Sequence, residues 1–238
     1  MDSAFEALPR GHYGAILADP PWRFLTYDKQ TEIHKIGTTI KGPASVHYRT
    51  MPTEEICALP IGELAAADCS LFLWCSWPLL VDALRAIQAW GFAYKTCGFC
   101  WAKAHAGQLE LFRDDIDGLM GTGYWTRSNS EPCLLATRGR PRRLAADVRQ
   151  VIIEPRREHS RKPDCVRERV ERLVAGPYLE LFARSRRPGW DCWGNETDKF
   201  SDGYAPRDDF ARSLEDCYRA VRERKAAGGD GWNDDGHV

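Results

Sequence analysis

The sequence predicts an α/β domain with a mostly parallel central sheet flanked by helices. Short apolar runs of strand length alternate with apolar patterns at helical spacing. The first run, Ala15-Ile16-Leu17-Ala18, is apolar on both faces, as a buried parallel strand is, and an acid, Asp19, stands at its carboxyl end, where open α/β sheets bind ligands. A polar stretch over 23–48, with Thr38, Thr39, Gly42, Pro43 and Ser45, reads as a long mobile loop, and loops of that length inside compact domains are usually functional. Thr53 is expected to cap a helix in which Glu54 and Glu55 suit the positive end of the dipole and Ile56 and Leu59 face inward. Residues 70–74 read as a strand. Leu80, Ala83, Leu84 and Ile87 then follow helical spacing, with Gly91 as the stop. Strands follow over 93–101, 132–136 and 150–154. Pro163 starts a helix that carries Val166, Val170 and Leu173 on one face and leads into a strand over 178–182.

Length, composition and charge set the outer limits. The chain has 238 residues, 43% of them apolar, and a formal net charge of −1, which suits one globular domain over 1–200 and an appendage over 201–238. In that appendage Phe210, Leu214, Cys217, Tyr218 and Val221 form a helical stripe, so a helix is expected over 207–226, followed by a disordered end rich in Gly, Asp and Asn. No apolar span is long enough for a membrane helix, and residues 1–10 lack the pattern of a signal peptide, which implies a cytoplasmic protein. The nine cysteines are scattered and odd in number. Cys57, Cys69, Cys75, Cys133 and Cys192 sit among apolar neighbours, as reduced core cysteines do. Cys97 and Cys100 lack the second pair that a zinc site needs, and alternation through Tyr94, Thr96, Gly98 and Cys100 reads as a strand, so no metal is expected. Charge is uneven along the chain: residues 138–187 hold fifteen Lys and Arg against seven acids, whereas 191–238 hold twelve acids against seven bases. The basic part suits a nucleic-acid partner, and Arg138, Arg140, Arg142 and Arg143, around Gly139 and Pro141, read either as a phosphate-contacting loop or as an ordinary solvated one.

The strand end Asp19-Pro20-Pro21-Trp22 has the residues of an ordinary turn, but it is followed in colinear order by further specific segments. These are His47-Tyr48-Arg49-Thr50-Met51, Leu71-Phe72-Leu73-Trp74, Gly121-Thr122-Gly123-Tyr124-Trp125, Ser160-Arg161-Lys162-Pro163-Asp164, Glu180-Leu181-Phe182-Ala183-Arg184 and Trp193-Gly194-Asn195-Glu196. Over residues 13–200 the chain resembles the N6-adenine methyltransferases with an Asp-Pro-Pro-Trp motif, a family that includes the catalytic subunit of the eukaryotic messenger-RNA adenosine methyltransferase and bacterial and phage DNA-modifying relatives. The resemblance implies a Rossmann-like domain that uses S-adenosylmethionine.

For the site, the resemblance implies the following roles. The Asp19 carboxylate and the Pro20 carbonyl accept hydrogen bonds from the adenine amino group, relocalising its lone pair and stabilising the charge that grows on it, while Pro20 and Pro21 stiffen the turn. Asp19 takes the proton late, because the amino group is too weakly acidic to lose it beforehand. Trp22 stacks on the extruded base, a contact worth about 1–3 kcal/mol in single-strand recognition. Ala18, Asp19, Lys162, Leu181, Phe182, Arg184, Asn195 and Glu196 are expected to hold the donor, with Arg184, Asn195 and Glu196 near its ribose; Lys162 matches a lysine that contacts the donor or the acceptor, and its charge suits the donor carboxylate. Arg186 and Arg187 fall where the family has other polar contacts. On the acceptor side stand Tyr48, Trp125 and Glu131; alternatively Tyr48 is a loop anchor, Trp125 is core and Glu131 pairs with Arg127. Arg140, Arg142 and Arg143 are candidates for the nucleic-acid backbone from their charge, not from the resemblance.

Departures from the family are a longer loop after Trp22, a heavier basic cluster, and little chain before the first strand, where Asp2 and Ser3 are the candidates for the adenine end of the donor. No Gly-x-Gly-x-x-Gly loop is present, which argues against a dinucleotide but not against a donor that lacks pyrophosphate. The sequence therefore points to an adenine-N6 methyltransferase that acts on nucleic acid. DNA is favoured, because the chain lacks accessory RNA-binding domains such as zinc fingers. An RNA adenosine methyltransferase and an inactive nucleic-acid-binding subunit are the alternatives, the intact Asp19, Lys162 and Asn195 speaking against the latter. No membrane contact is expected, and homo- or hetero-dimerisation stays open.

Overall fold

A computed structural model describes residues 3–23, 50–104, 125–126, 128–158 and 161–200. The predicted loop over 23–48, apart from Arg23, and the predicted tail over 201–238 lie outside them, as do Tyr48, Asp2 and Arg127. All the described residues fall within the compact unit Met1–Asp202.

Five α-helices, a short 3-10 helix (Trp77–Leu79) and seven strands lie along these residues. A short helix, α1 (Ser3–Glu6), precedes β1 (Tyr13–Ala18). Then come α2 (Thr53–Cys57), α3 (Ile61–Leu64), β2 (Ala65–Trp74), α4 (Leu80–Ala89), β3 (Ala93–Ala104), β4 (Ser130–Arg138), β5 (Val151–Pro155), α5 (Cys165–Leu173), β6 (Tyr178–Leu181) and β7 (Trp190–Trp193). The strands form one sheet in the order β5-β3-β4-β2-β1-β6-β7. β4 pairs antiparallel with both neighbours, and all other pairs are parallel, so among the described strands β4 alone is reversed. With helices on both faces this is a Rossmann-like α/β fold, as the sequence predicts.

Strand alternation sorts the core into two clusters. Ile16, Ala18, Leu71, Leu73, Leu134 and Leu181 pack with Ile56, Ile61, Ala83 and Ile87 of α2, α3 and α4. Ala15, Leu17, Phe72, Trp74, Phe99, Trp101 and Cys133 pack with Val166 and Val170 of α5 on the other face. The predicted faces of α4 and α5 are the buried ones. Gly91 ends α4 in the left-handed region (φ 78°): its N–H bonds to Gln88 O at 3.0 Å and that of Phe92 to Ile87 O at 3.0 Å, the paired bonds of a Schellman cap. Cys97 and Cys100 lie in β3, again as predicted.

Two expected helix starts are corrected. Thr53 does not cap α2: Pro52 holds the capping position, and the helix has no side-chain cap. Helix α5 begins at Cys165 rather than Pro163, with Asp164 at the capping position; its carboxylate goes to Arg157 (2.5 Å) and Arg161 (3.1 Å) instead of to the helix amides. Strand β7 was not foreseen, since Trp-Asp-Cys-Trp is too short to show a period.

Candidate active site

β1 is the switch point of the sheet: β2 lies on one side of it and the much later β6 on the other, and such crevices are where α/β sheets bind ligands. An open cleft with about 500 Å³ of empty space, its mouth included, lies there on the α5 face. Leu17 and Asp19 reach it from β1 and the turn after it, Trp74 from β2, Glu180 and Phe182 from β6 and its end, and Lys162, Arg184 and Phe200 from the loops around α5 and β7.

Alternation explains the membership. Counting back from Asp19, Leu17 and Ala15 face α5, and so do Trp74 and Phe72 on β2. Ala18 and Leu181, expected at the donor, have the opposite parity and are fully buried in the α4-side core, so their side chains do not line the cleft. The Leu181 carbonyl accepts the Asp19 N–H at 3.4 Å and fixes the turn.

Asp19 faces Lys162, whose Nζ lies 2.9 Å from its Oδ2. The same Nζ lies 3.4 Å from Glu131 Oε2, and Lys103 Nζ lies 2.5 Å from Glu131 Oε1. Lys162 also stands 5.7 Å from the centre of the Trp74 ring, within cation–π range. Burial raises the pKa of Asp19, against the opposing pull of Lys162. Burial pushes Glu131 the same way, but the two lysines outweigh it and hold that carboxyl at about 2. Deeper in the cleft, burial lifts Glu180 to about 7, although Arg167 Nε stands 2.6 Å from it; Arg167 also bonds Ser185 Oγ at 2.9 Å.

The turn itself is tight. Trp22 N–H donates to Pro20 O at 2.7 Å, a γ-turn bond that leaves the carbonyl one free lone pair, and Met51 N–H donates to Pro21 O at 2.8 Å. Trp22 corrects an expectation. It is 8% exposed, belongs to the α4-side core, and gives its indole N–H to Trp74 O at 2.9 Å, so its ring is packed rather than open for a base to stack on.

Beyond β6, Phe182 turns the chain with a left-handed backbone (φ 61°), a conformation that costs a bulky residue of order 1–3 kcal/mol and is held here by Ala183 N–H to Trp193 O at 2.9 Å. The Arg184 guanidinium pairs with Glu196 at 2.9 Å and lies 5.1 Å from the centre of the Phe200 ring. Gly194 packs so closely on the Phe182–Ala183 turn that a Cβ there would lie 2.6 Å from Ala183 O. Asn195 is exposed beside it and does not line the cleft. Arg186 pairs with Asp198, and Arg187 with Glu168 and Glu171, so neither reaches the cleft.

The acceptor-side candidates separate. Glu131 joins the Asp19 network. Trp125, which is 99% exposed, is not core. The arginine cluster stands at the other end of the strands: Arg138 is level with Cys69 while Cys133 is level with Trp74, and Ala18 with Leu73, so the loop lies roughly 17 Å or more along the strands from Asp19. There Arg138 bonds Gly62 O, the Arg140 N–H bonds Asp68 Oδ1 at 2.7 Å, and Arg143 bridges to Val174. Arg140, Arg142 and Arg143 therefore do not belong to the site around Asp19, because β4 runs away from it.

Sequence reasoning missed Lys103, Glu180 and Arg167. The signal for Lys103 was its spacing from Trp101, two residues away on one strand face, but the pairing of Trp101 with Glu131 that brings it into place is non-local.

The family model described as MT-A70 matches residues 13–196. The chain is 34% identical over 207 residues to the type II methyltransferase M.MunI from Mycoplasma sp., covering 82% of this chain and 82% of that protein. It is 30% identical over 192 residues to the N(6)-adenosine-methyltransferase MT-A70-like protein of Arabidopsis thaliana, covering 78% of this chain and 24% of the plant protein. With the N(6)-adenine-specific methyltransferase METTL4 of Mus musculus it shares 27% identity over 197 residues, 79% of this chain and 38% of that protein.

Proposed function

The chain belongs to the MT-A70 family, and from that premise we propose that it transfers a methyl group to the N6 amino nitrogen of adenine within DNA. The observation that carries this reading is the Asp19–Lys162 pair, 2.9 Å apart in a cleft at the carboxyl end of β1. Similarity to a type II methyltransferase over 82% of its length supports DNA, whereas the plant protein is spanned only over 24% of its length.

The family implies a methyl donor, and the cleft fits S-adenosylmethionine in its chemistry. Lys162, Arg161 and Arg184 in its lining are cations suited to a carboxylate, and Phe182 and Phe200 supply apolar walls. When bound, the donor supplies an activated methyl group on a sulfonium.

The chain's own residues do the rest. Adenine N6 is a poor nucleophile because its lone pair is delocalised into the ring. The Asp19 carboxylate accepts one amino N–H and the remaining lone pair of Pro20 O accepts the other, which relocalises the nitrogen pair and opposes the positive charge that grows there. Lys162 favours the ionised form of Asp19, and Asp19 takes the proton once the nitrogen carries charge. Trp22, locked to Trp74 O, holds the turn in register.

The test is purified protein with labelled S-adenosylmethionine and matched DNA and RNA pools, followed by nucleoside analysis. N6-methyladenine in the DNA pool is expected. Product in the RNA pool alone would move the substrate to RNA, and product in neither would count against catalysis.

A further inference from the structure

We propose that Lys103 is a positioning residue for methyl transfer: it holds the Glu131 carboxylate and so leaves Lys162 to Asp19. The inference rests on the role given to Asp19, but it concerns a residue that neither the motif nor the cleft lining includes.

The four side chains form an alternating row, Lys103–Glu131–Lys162–Asp19, with contacts of 2.5, 3.4 and 2.9 Å. Lys103 and Glu131 are 17% and 23% exposed, Lys162 and Asp19 19% and 23%, so water screens these charges less than it does a surface pair. The row sums to zero charge. Lys162 serves two carboxylates and stands nearer to Asp19, which is the arrangement expected when Glu131 already has a cation of its own.

Lys103 is placed there by the sheet. Phe99, Trp101 and Lys103 follow one another on the α5-side stripe of β3, and Trp101 pairs across β4 with Glu131. The Lys103 N–H bonds Asn129 O at 2.8 Å, and its ammonium lies 5.2 Å from the Trp101 ring centre. An ammonium at the end of a buried aromatic stripe is costly unless paired. The partner it has is Glu131.

Without Lys103 the row carries a net negative charge, and Lys162 alone must serve both carboxylates. Glu131 draws the ammonium toward itself and Asp19 loses its hold on it. Asp19 then accepts a proton at higher pH, and a protonated Asp19 cannot take two roles as acceptor of an amino N–H and of its proton. Other charges around the row are Glu154 on β5, in register with Lys103, and Arg184 and Glu180 beside Asp19. Burial keeps the neighbouring thiols of Cys75 and Cys133 protonated at neutral pH, so they do not compete.

Carbon-13 carboxyl NMR of the intact protein labelled at aspartate, with Asp19 assigned through Asp19→Asn, tests the inference without any substrate. Lys103→Gln should raise the titration midpoint of Asp19, Lys103→Arg should leave it in place, and Glu131→Gln should lower it. A Lys103→Gln protein that melts earlier with an unmoved Asp19 midpoint would show a merely structural lysine and overturn the proposal. Should Lys103→Gln not fold, Glu131→Gln is compared with the Lys103→Gln, Glu131→Gln double variant: equal midpoints support action through Glu131, and a higher midpoint in the double variant overturns it. In turnover, Lys103→Gln should lose about tenfold in kcat/KM on the acidic limb and recover at alkaline pH. A moved midpoint with an unmoved pH profile would count against the role of Asp19 while leaving that of Lys103 intact.

Discussion

The Lys162 ammonium lies 2.9 Å from the Asp19 carboxylate, joining the end of the first strand to the loop before the last described helix. Two opposed effects meet in that contact, burial raising the pKa of Asp19 and Lys162 lowering it, and the net direction is upward. Since only the ionised carboxylate can both oppose the charge growing on the amino nitrogen and take up its proton, turnover should fall as pH drops through the raised value. Lys162→Met should move that limb to higher pH. Asp19→Asn should lose on the order of 10²-fold or more in kcat, with donor affinity by calorimetry within severalfold of wild type. Unchanged turnover in Asp19→Asn would remove the residue from the chemistry.

Glu131 predicts the acid behaviour of the fold. Its carboxyl is depressed from 4.5 to about 2, so it contributes stability above pH 4.5 that is lost as pH falls from there through about 2. Glu131→Gln should flatten this part of the stability–pH curve by up to a few kcal/mol in denaturant titrations at several pH values. An identical acid slope in the variant would mean that the two lysines do not hold the carboxylate in solution.

The arginine loop provides a negative control. Because Arg140, Arg142 and Arg143 stand at the opposite end of the strands from Asp19, the triple alanine variant should keep single-turnover methylation of a short single-stranded oligonucleotide within about twofold. A loss of tenfold or more would place the substrate backbone across that end of the sheet.

Trp22 should behave as a core residue. Trp22→Ala is expected to cost about 3–5 kcal/mol in denaturant unfolding. Trp22→Phe keeps an aromatic face but loses the bond to Trp74 O, so it should also be less stable than wild type. Full stability of Trp22→Phe together with weakened substrate binding would instead favour contact with the base.

Gly194 tests the wall of the cleft. A methyl group would lie 2.6 Å from Ala183 O and 2.7 Å from Ala183 N, both backbone atoms that cannot move alone. Gly194→Ala should cost about 1–3 kcal/mol and weaken donor binding by displacing the turn that carries Phe182, as melting and calorimetry would read. Wild-type values for both would exclude the close approach.

Much of this protein was legible before folding, since local patterns carry local structure. The apolar runs at 15–18 and 70–74, the Gly91 stop, and the buried faces of α4 and α5 follow from periodicity and backbone chemistry within a few residues. The Asp-Pro-Pro-Trp turn and the colinear segments after it were enough to identify the family. Strand neighbours, by contrast, depend on pairing between distant segments. The reversal of β4 carries the arginines away from the cleft, and the parity of β1 and β6 turns Ala18 and Leu181 into the far core. Trp22 looked available because a sequence does not say which side of a turn meets a core. The residue types that fit methyl transfer are thus a property of the sequence. Which charges surround Asp19 was decided only by the tertiary structure, because Lys103 and Glu131 meet through the β3–β4 register, Lys162 reaches them from the loop before α5, and register is set by packing over the whole fold.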